Sequence, residues 1–171
     1  MKGLILLIIA YLPQVLFAQD QVVSRFSIDE KPNVRIDDHM QGVWKMREDT
    51  DKHNYFIVEK DGDYEYCMTY MNRSGDNRGL EHGGGFFSMI NNVKFLTMPS
   101  GNNDGWLILK IKDVTRGSWD VTLNLITDPR LRSVKSRAEL RELIEKNLNN
   151  PAFYSKDLHL RKKFEFNSCH G

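Results

Sequence analysis

The sequence predicts a mainly β fold: an antiparallel up-and-down barrel of eight strands, with one α-helix before the last strand. Three observations carry this prediction. Short β-prone runs separated by turn residues follow one another from Gly42 to Ile126, one later run has helical spacing, and an alternating run follows it. A chain of hairpins leaves unpaired edges unless the sheet closes, and a barrel removes them. A two-sheet β-sandwich fits the same strands and is the alternative.

The first three predicted strands cover residues 42–46, 54–60 and 63–71. Tyrosines and Met68 alternate with Glu65, Cys67 and Thr69 in the third, which is the period of a strand with two different faces. Asp61-Gly62 lies between the second and third runs, and Asp-Gly between such runs is a strong hairpin signal. We therefore expect the second and third strands to be antiparallel neighbours.

Four more strands are predicted before the helix. Residues 86–90 and 93–98 flank Asn91-Asn92, a pair that tolerates the positive φ of a tight turn. Residues 106–114 and 119–126 are rich in Leu, Ile and Val, and 116–118 supply a turn between them. Seven strands thus precede the helix.

The helix is predicted from its start signal and its spacing. Ser136 and Glu139 have the spacing of a capping box, and Pro151 follows the last periodic residue. The apolar residues at helical intervals are Leu140, Leu143, Ile144 and Leu148. After a short connector, Leu158, Leu160 and Phe164 alternate with polar residues, which predicts the final strand.

The chain divides into three parts. Residues 1–18 have the features of a cleavable signal peptide: Lys2, an apolar run too short for the roughly 20 residues of a membrane-spanning helix, and Ala18 before a polar stretch. No cysteine lies at the cleavage point, so no lipoprotein anchor is expected, and an uncleaved amphiphilic anchor is the alternative. Residues 19–38 are expected to be an extended segment, ordered late or not at all, and 39–171 the barrel domain. The protein is then secreted or periplasmic.

The near-neutral charge of the chain argues against a nucleic-acid partner. The chain has 24 lysines and arginines against 23 aspartates and glutamates, dispersed along the sequence. A nucleic-acid binder is expected to have a concentrated positive field, so we expect no nucleic-acid partner. We expect a monomer without a membrane span in the mature protein.

The two cysteines, Cys67 and Cys169, both lie beyond the signal segment, and disulfides persist in exported proteins. We predict a bridge that pins the C-terminal tail to the third strand. Cys67 shares a strand face with Glu65 and Thr69, so the bridge is expected on the outside of the barrel. Two unpaired thiols are the alternative.

Gly42-Val43-Trp44 on the first strand resembles the Gly-x-Trp signature of the lipocalins, in the calycin superfamily. The resemblance implies that Gly42 admits close backbone approach and that Trp44 plugs the closed end of an eight-stranded barrel. A late helix, the Thr127-Asp128 pair and a disulfide from the C-terminus to a strand also resemble the family. Seven predicted strands before the helix and Pro129 after the Thr-Asp pair depart from its pattern.

No catalytic motif occurs in the chain. It lacks Gly-x-Ser-x-Gly, His-Glu-x-x-His, Cys-x-x-Cys and a phosphate-binding glycine loop. Its five histidines have no ligand-pair spacing, and Glu81-His82 before three glycines is typical of a polar loop. We expect no enzyme activity, metal or cofactor.

Aromatic residues on the predicted strands are the candidate ligand-binding residues, with tyrosine hydroxyls available to orient a ligand. Plain core packing is the alternative at each position, because eight strands enclose room only for side chains or one small ligand. The candidates are Phe56, Tyr64, Tyr66, Tyr70, Phe87, Trp106 and Trp119. We therefore expect an exported binding protein that holds a small apolar or amphipathic ligand in its lumen. The alternative is a solid barrel that binds a protein partner through loop 72–85 or the helix face.

Overall fold

The computed structural model describes residues 22–47, 55–71, 84–100, 104–115 and 120–164. Within these ranges eight strands, each antiparallel to its neighbours in sequence order, form a closed barrel in which the last strand pairs with the first. The strands are β1 (Gly42–Met46), β2 (Tyr55–Asp61), β3 (Glu65–Met71), β4 (Gly85–Ile90), β5 (Val93–Pro99), β6 (Trp106–Thr115), β7 (Asp120–Leu125) and β8 (Leu158–Phe164). Helix α1 (Arg137–Lys146) precedes β8. The predicted fold class is confirmed, and the sandwich alternative is excluded.

Turn residues set the hairpins as the sequence predicts. Gly62 follows Asp61 with φ of 78°, and β2 pairs with β3 along its whole length from Tyr55–Met71 to Asp61–Glu65. Asn91 and Asn92 both have positive φ, 48° and 63°, between β4 and β5. Two successive positive φ values match the right-handed twist of the flanking strands. These turns fix the register of both hairpins.

Both faces of the wall formed by β4, β5 and β6 are buried. Phe87 and Leu96 point into the barrel, where they join an inner cluster with Trp44 and Tyr66. Phe95 and Ile108 point outward and belong to an outer cluster under α1. The barrel wall therefore separates two hydrophobic cores.

Helix α1 covers the outer face of this wall. Ser136 caps the helix as predicted, because its Oγ accepts from Glu139 N–H, whereas Glu139 Oε2 accepts from the N–H of Lys135, one residue before the cap, and not from Ser136. Leu140 and Ile144 are fully buried in the outer cluster. None of the helices in the described part of the chain is long and apolar enough to cross a membrane.

The segment before β1 is packed against the barrel. Ser24 exchanges two backbone hydrogen bonds with Trp106, at 2.9 and 2.8 Å, and Ile28 is 1% exposed in the outer cluster. Farther along, Val34 forms a bridge with Phe87, and Ile36 N–H donates to the Asp63 carbonyl. Irregular extended chain can thus bury apolar side chains without showing a period in the sequence.

Candidate ligand-binding site

Trp44 fills the lumen at the hairpin end of the barrel, which is the end where β1, β3, β5 and β7 begin. It is 3% exposed, and its Nε1–H donates to the Met40 carbonyl at 2.8 Å. Met40 ends a 3₁₀ helix, Asp38–Met40, that leads into β1. Lys162 Nζ from β8 lies 5.2 Å from the centroid of the Trp44 ring, within range of a cation–π interaction. Trp44 therefore has the position of a plug.

Gly42 lets β8 approach this plug closely. Its φ is 137°, a conformation that L side chains rarely adopt. A Cβ added here would overlap the Phe164 carbonyl oxygen and would lie 3.3 and 3.4 Å from two carbons of the Lys162 side chain. The absence of a side chain at Gly42 thus makes room for the buried lysine that lies over Trp44.

Tyr66 and Phe87 fill the middle of the lumen. They are 1% and 0% exposed and meet edge to face, with ring centroids 5.2 Å apart. The Tyr66 hydroxyl accepts from Asp37 N–H at 2.6 Å and donates to the Asp37 carbonyl at 3.0 Å. Burial is the largest cause of a raised pKa for Tyr66. This hydroxyl anchors the segment before β1, in contrast to the ligand-orienting role that the sequence suggested.

The remaining predicted aromatics do not converge on one place. Phe56 pairs with Trp44 and is partly buried against the inner cluster. Tyr64 is 40% exposed in the turn between β2 and β3. Trp106 packs against Phe86, whose side chain lies on the outer face. The structure therefore groups Phe56 with Tyr66 and Phe87 but separates Tyr64 and Trp106 from them.

Three predicted residues cannot be placed fully. Tyr70 pairs with Phe56 by its backbone, but its side chain lies outside the described part of the structure. Trp119 and Cys169 also lie outside the described residues. Cys67 is exposed on β3. The disulfide therefore stays a prediction.

A groove that sequence reasoning missed opens at the hairpin end, between the start of β5 and the end of β6. Backbone pairing of these strands runs from Pro99–Trp106 to Phe95–Lys110, and the register of β6 against β7 shifts between Ile111 and Asp113. The groove has a volume of about 470 Å³ and is open to solvent. It is lined by Asn92, Val93, Lys94, Lys110, Ile111, Lys112, Asp113 and Val114.

The groove is connected to the lumen by two of its lining residues. Ile111 and Val114 are partly buried and pack against the inner cluster. Lys94 precedes Leu96 by two positions on β5, so its side chain leaves the strand on the lumen face. Solvent therefore meets the inner cluster along this groove.

Positive charge predominates around the groove, with three lysines against one aspartate. Lys110 Nζ donates to the Leu148 carbonyl at 2.6 Å and lies 4.9 Å from the centroid of the Tyr154 ring. Burial, and then the charge of Lys112, lower the pKa of Lys110. Lys112 Nζ in turn contacts both Asp157 carboxylate oxygens, at 3.1 and 2.9 Å.

Lys94 differs from the other two lysines. Its Nζ lies 4.8 Å from the centroid of the Phe87 ring. Within the described ranges it has no hydrogen bond to an acceptor and no ion pair with a carboxylate. Lys94 is thus the groove lysine whose ammonium donates no hydrogen bond to the described part of the protein.

The described residues include no group of three or more His, Cys, Asp or Glu side chains that could hold a metal ion. A polar network does occur on the outer face of β7 and β8, where Thr122 Oγ1 lies 3.2 Å from His159 Nδ1. Asp157 belongs to the same face, and hydrogen bonds from Asn124 and Lys112 lower its pKa. This network holds the strands and the connector before β8 together.

No family model, no curated protein and no solved structure gives a significant match to this chain. The architecture is compatible with a lipocalin-like barrel, although seven strands precede the helix, which departs from the lipocalin pattern as the sequence predicted. It is an eight-stranded, antiparallel, closed barrel with one helix before the last strand.

Proposed function

We propose that this protein is an exported, lipocalin-like, non-enzymatic binding protein that holds one small apolar or amphipathic molecule at the lumen. The observation that carries the proposal is the groove of about 470 Å³ that reaches Ile111 and Val114 of the inner cluster. Small-molecule pockets in proteins have volumes of roughly 300–1,000 Å³ and are mostly apolar with a few polar groups. The groove has this size, and Val93, Ile111 and Val114 form the apolar part of a lining that is otherwise polar.

Partial burial of lumen residues also supports the proposal. A solid barrel would leave no inward apolar side chain accessible to solvent except at its two rims. Leu109, Ile111 and Leu160 lie away from the strand ends and pack on the inner cluster, but they are only partly buried. Trp44 fills the hairpin end of the lumen, and Tyr66 and Phe87 fill its middle, so the ligand would lie beside them.

The lipocalin-like part of the proposal rests on the hairpin end. Gly42 and Trp44 lie on β1 directly after a 3₁₀ helix, and the barrel closes beside them through β8. A lysine, Lys162, covers the Trp44 ring. Export is supported by the signal-like residues 1–18, which lie outside the described part of the chain.

The protein-partner alternative has less support. Arg141 of α1 donates to the Asp29 carboxylate at 2.6 Å and to the Met89 carbonyl at 3.0 Å. Glu145 accepts from the Asn91 side chain at 2.7 Å. Part of the polar face of α1 is therefore used within the molecule, and most of loop 72–85 lies outside the described residues.

Binding of a neutral apolar dye such as Nile red to residues 19–171 tests the proposal. Val114→Trp should fill the groove and weaken dye binding by about ten-fold or more, because it removes the space next to Ile111. Lys163→Trp on β8, an exposed position outside the groove, is the matched control and should bind as the unmodified protein does. Absence of saturable dye binding by the unmodified protein would contradict the proposal. Unchanged binding by Val114→Trp would exclude the groove as the site.

A further inference from the structure

We infer that the ligand of this groove is a monoanionic amphiphile, with its carboxylate on the Lys94 ammonium and its apolar body against Ile111 and Val114. This inference rests on the proposed binding function, since it concerns the same groove. It adds the chemical class of the ligand and the residue that selects it.

The position of Lys94 carries the first step. Its side chain is partly buried at the rim of the groove, on the lumen face of β5. The Lys94 ammonium has three hydrogen-bond donors. The face of the Phe87 ring attracts its positive charge but provides no oxygen that accepts a hydrogen bond. A carboxylate in the groove would accept hydrogen bonds from these donors.

The other charges around the groove make an anion more favourable than a cation. Lys110 donates to the Leu148 backbone carbonyl and keeps its charge beside the groove, whereas the Asp157 carboxylate offsets the charge of Lys112. Asp113 is the single acidic residue of the lining. A cationic ligand would be repelled by this surface.

The groove also limits how much charge the ligand carries. Ile111, Val114 and Val93 supply apolar lining beside Lys94. With the donors of Lys110 and Lys112 already engaged, a single ammonium is left to pair with the ligand. One negative charge on an apolar body matches that arrangement better than a phosphate dianion, which requires several donors.

Decanoate and decanol, which share one chain length and differ in charge, test the inference by displacement of Nile red from residues 19–171. The unmodified protein should bind decanoate about ten-fold more tightly than decanol, since a charge-assisted hydrogen bond contributes about that factor. Raising the salt concentration from about 0.05 to about 0.5 M should weaken decanoate binding but not decanol binding. This salt comparison needs no variant.

Variants at Lys94 locate the charge. Lys94→Met should weaken decanoate by about ten-fold and decanol by less than about two-fold, while Lys94→Arg should retain decanoate binding. Lys163→Met, an exposed lysine outside the groove, is the control for net charge. Equal affinity for both probes, or decanoate binding unaffected by both Lys94→Met and salt, would overturn the inference while leaving the proposed function intact. Binding of neither probe nor dye would contradict the proposed function itself.

Discussion

Lys162 lies inside the barrel, 6% exposed, with its ammonium over the Trp44 ring. A buried lysine is costly unless its charge is compensated, and the ring face provides part of that compensation. Its carbon chain passes over Gly42, where any Cβ would be in close contact with it. Glycine, tryptophan and lysine at this end therefore depend on one another.

Trp44→Ala should destabilise the protein by about 3–5 kcal/mol, because it empties the plug of the hairpin end. Trp44→Phe keeps a ring beneath Lys162 but loses the hydrogen bond to the Met40 carbonyl, and should cost less, about 1–2 kcal/mol. Denaturant unfolding of the two variants gives both values. A loss below about 1 kcal/mol for Trp44→Ala would show that Trp44 is not a core plug.

Tyr66 should titrate abnormally, since burial raises its pKa. In the folded protein, Tyr66→Phe should show the same tyrosinate absorbance change near pH 10 as the unmodified protein. In urea, the absorbance change of Tyr66→Phe should be smaller by the contribution of one tyrosine. The neutral form is favoured on folding, so its contribution to stability is complete below about pH 10, the unfolded pKa, and declines above it. A smaller absorbance change near pH 10 in folded Tyr66→Phe would contradict the burial of the Tyr66 hydroxyl.

At the scale of elements, the seam between β3 and β4 has the fewest paired positions among the described residues. The described residues pair there at Glu65–Phe86 and Tyr66–Gly85, whereas β2 and β3 pair at seven positions. Val34 and Ile36 of the preceding segment lie at this seam, bonded to β4 and to the β2–β3 turn. The segment before β1 therefore acts as part of the barrel wall.

Ile36→Asp should weaken this seam, because it places a charge next to the inner cluster. We expect a loss of about 1–3 kcal/mol and faster amide hydrogen exchange at Tyr66 and Phe86. Lys31→Asp, an exposed position in the same segment, should change stability by less than about 0.5 kcal/mol. Equal exchange in Ile36→Asp and the unmodified protein would show that the segment does not support the seam.

Hairpins and helix could be predicted from the sequence because their signals are local. Asp61-Gly62, Asn91-Asn92 and the Ser136 cap each act on neighbouring residues. Local signals could not predict which face of the barrel wall the side chains of Trp106 and Lys94 lie on. Phe86-Phe87 and Phe95-Leu96 are buried on both faces of the wall, so alternation, the signal that separates inside from outside, is missing there.

The groove could not be predicted either, because it arises where pairing ends between β5 and β6 and where the register shifts against β7. The docked segment before β1 likewise depends on contacts distant in sequence, such as Asp37 with Tyr66. Extended chain without alternation gives no periodic signal of burial. Local patterns therefore predicted the barrel but not its opening.

For the molecule as a whole, the two cores have different roles. The outer cluster fixes α1 and the segment before β1 on one side of the wall, and its members such as Phe95 and Ile144 are fully buried. The inner cluster is fully buried in the middle, at Phe87, and partly exposed along the groove, at Ile111. The groove lies at one end of the covered wall, between β5 and β6, so this wall is fully buried in its middle and accessible to solvent at its end.

Native mass spectrometry of the protein purified from its own host tests the binding function most directly. Under gentle ionisation we expect the mature chain to carry one small organic molecule, which is released on denaturation and identified as a carboxylic acid with an apolar body. Val114→Trp purified in the same way should lack it. The bare mass of the chain, together with the absence of dye binding after purification, would contradict the account.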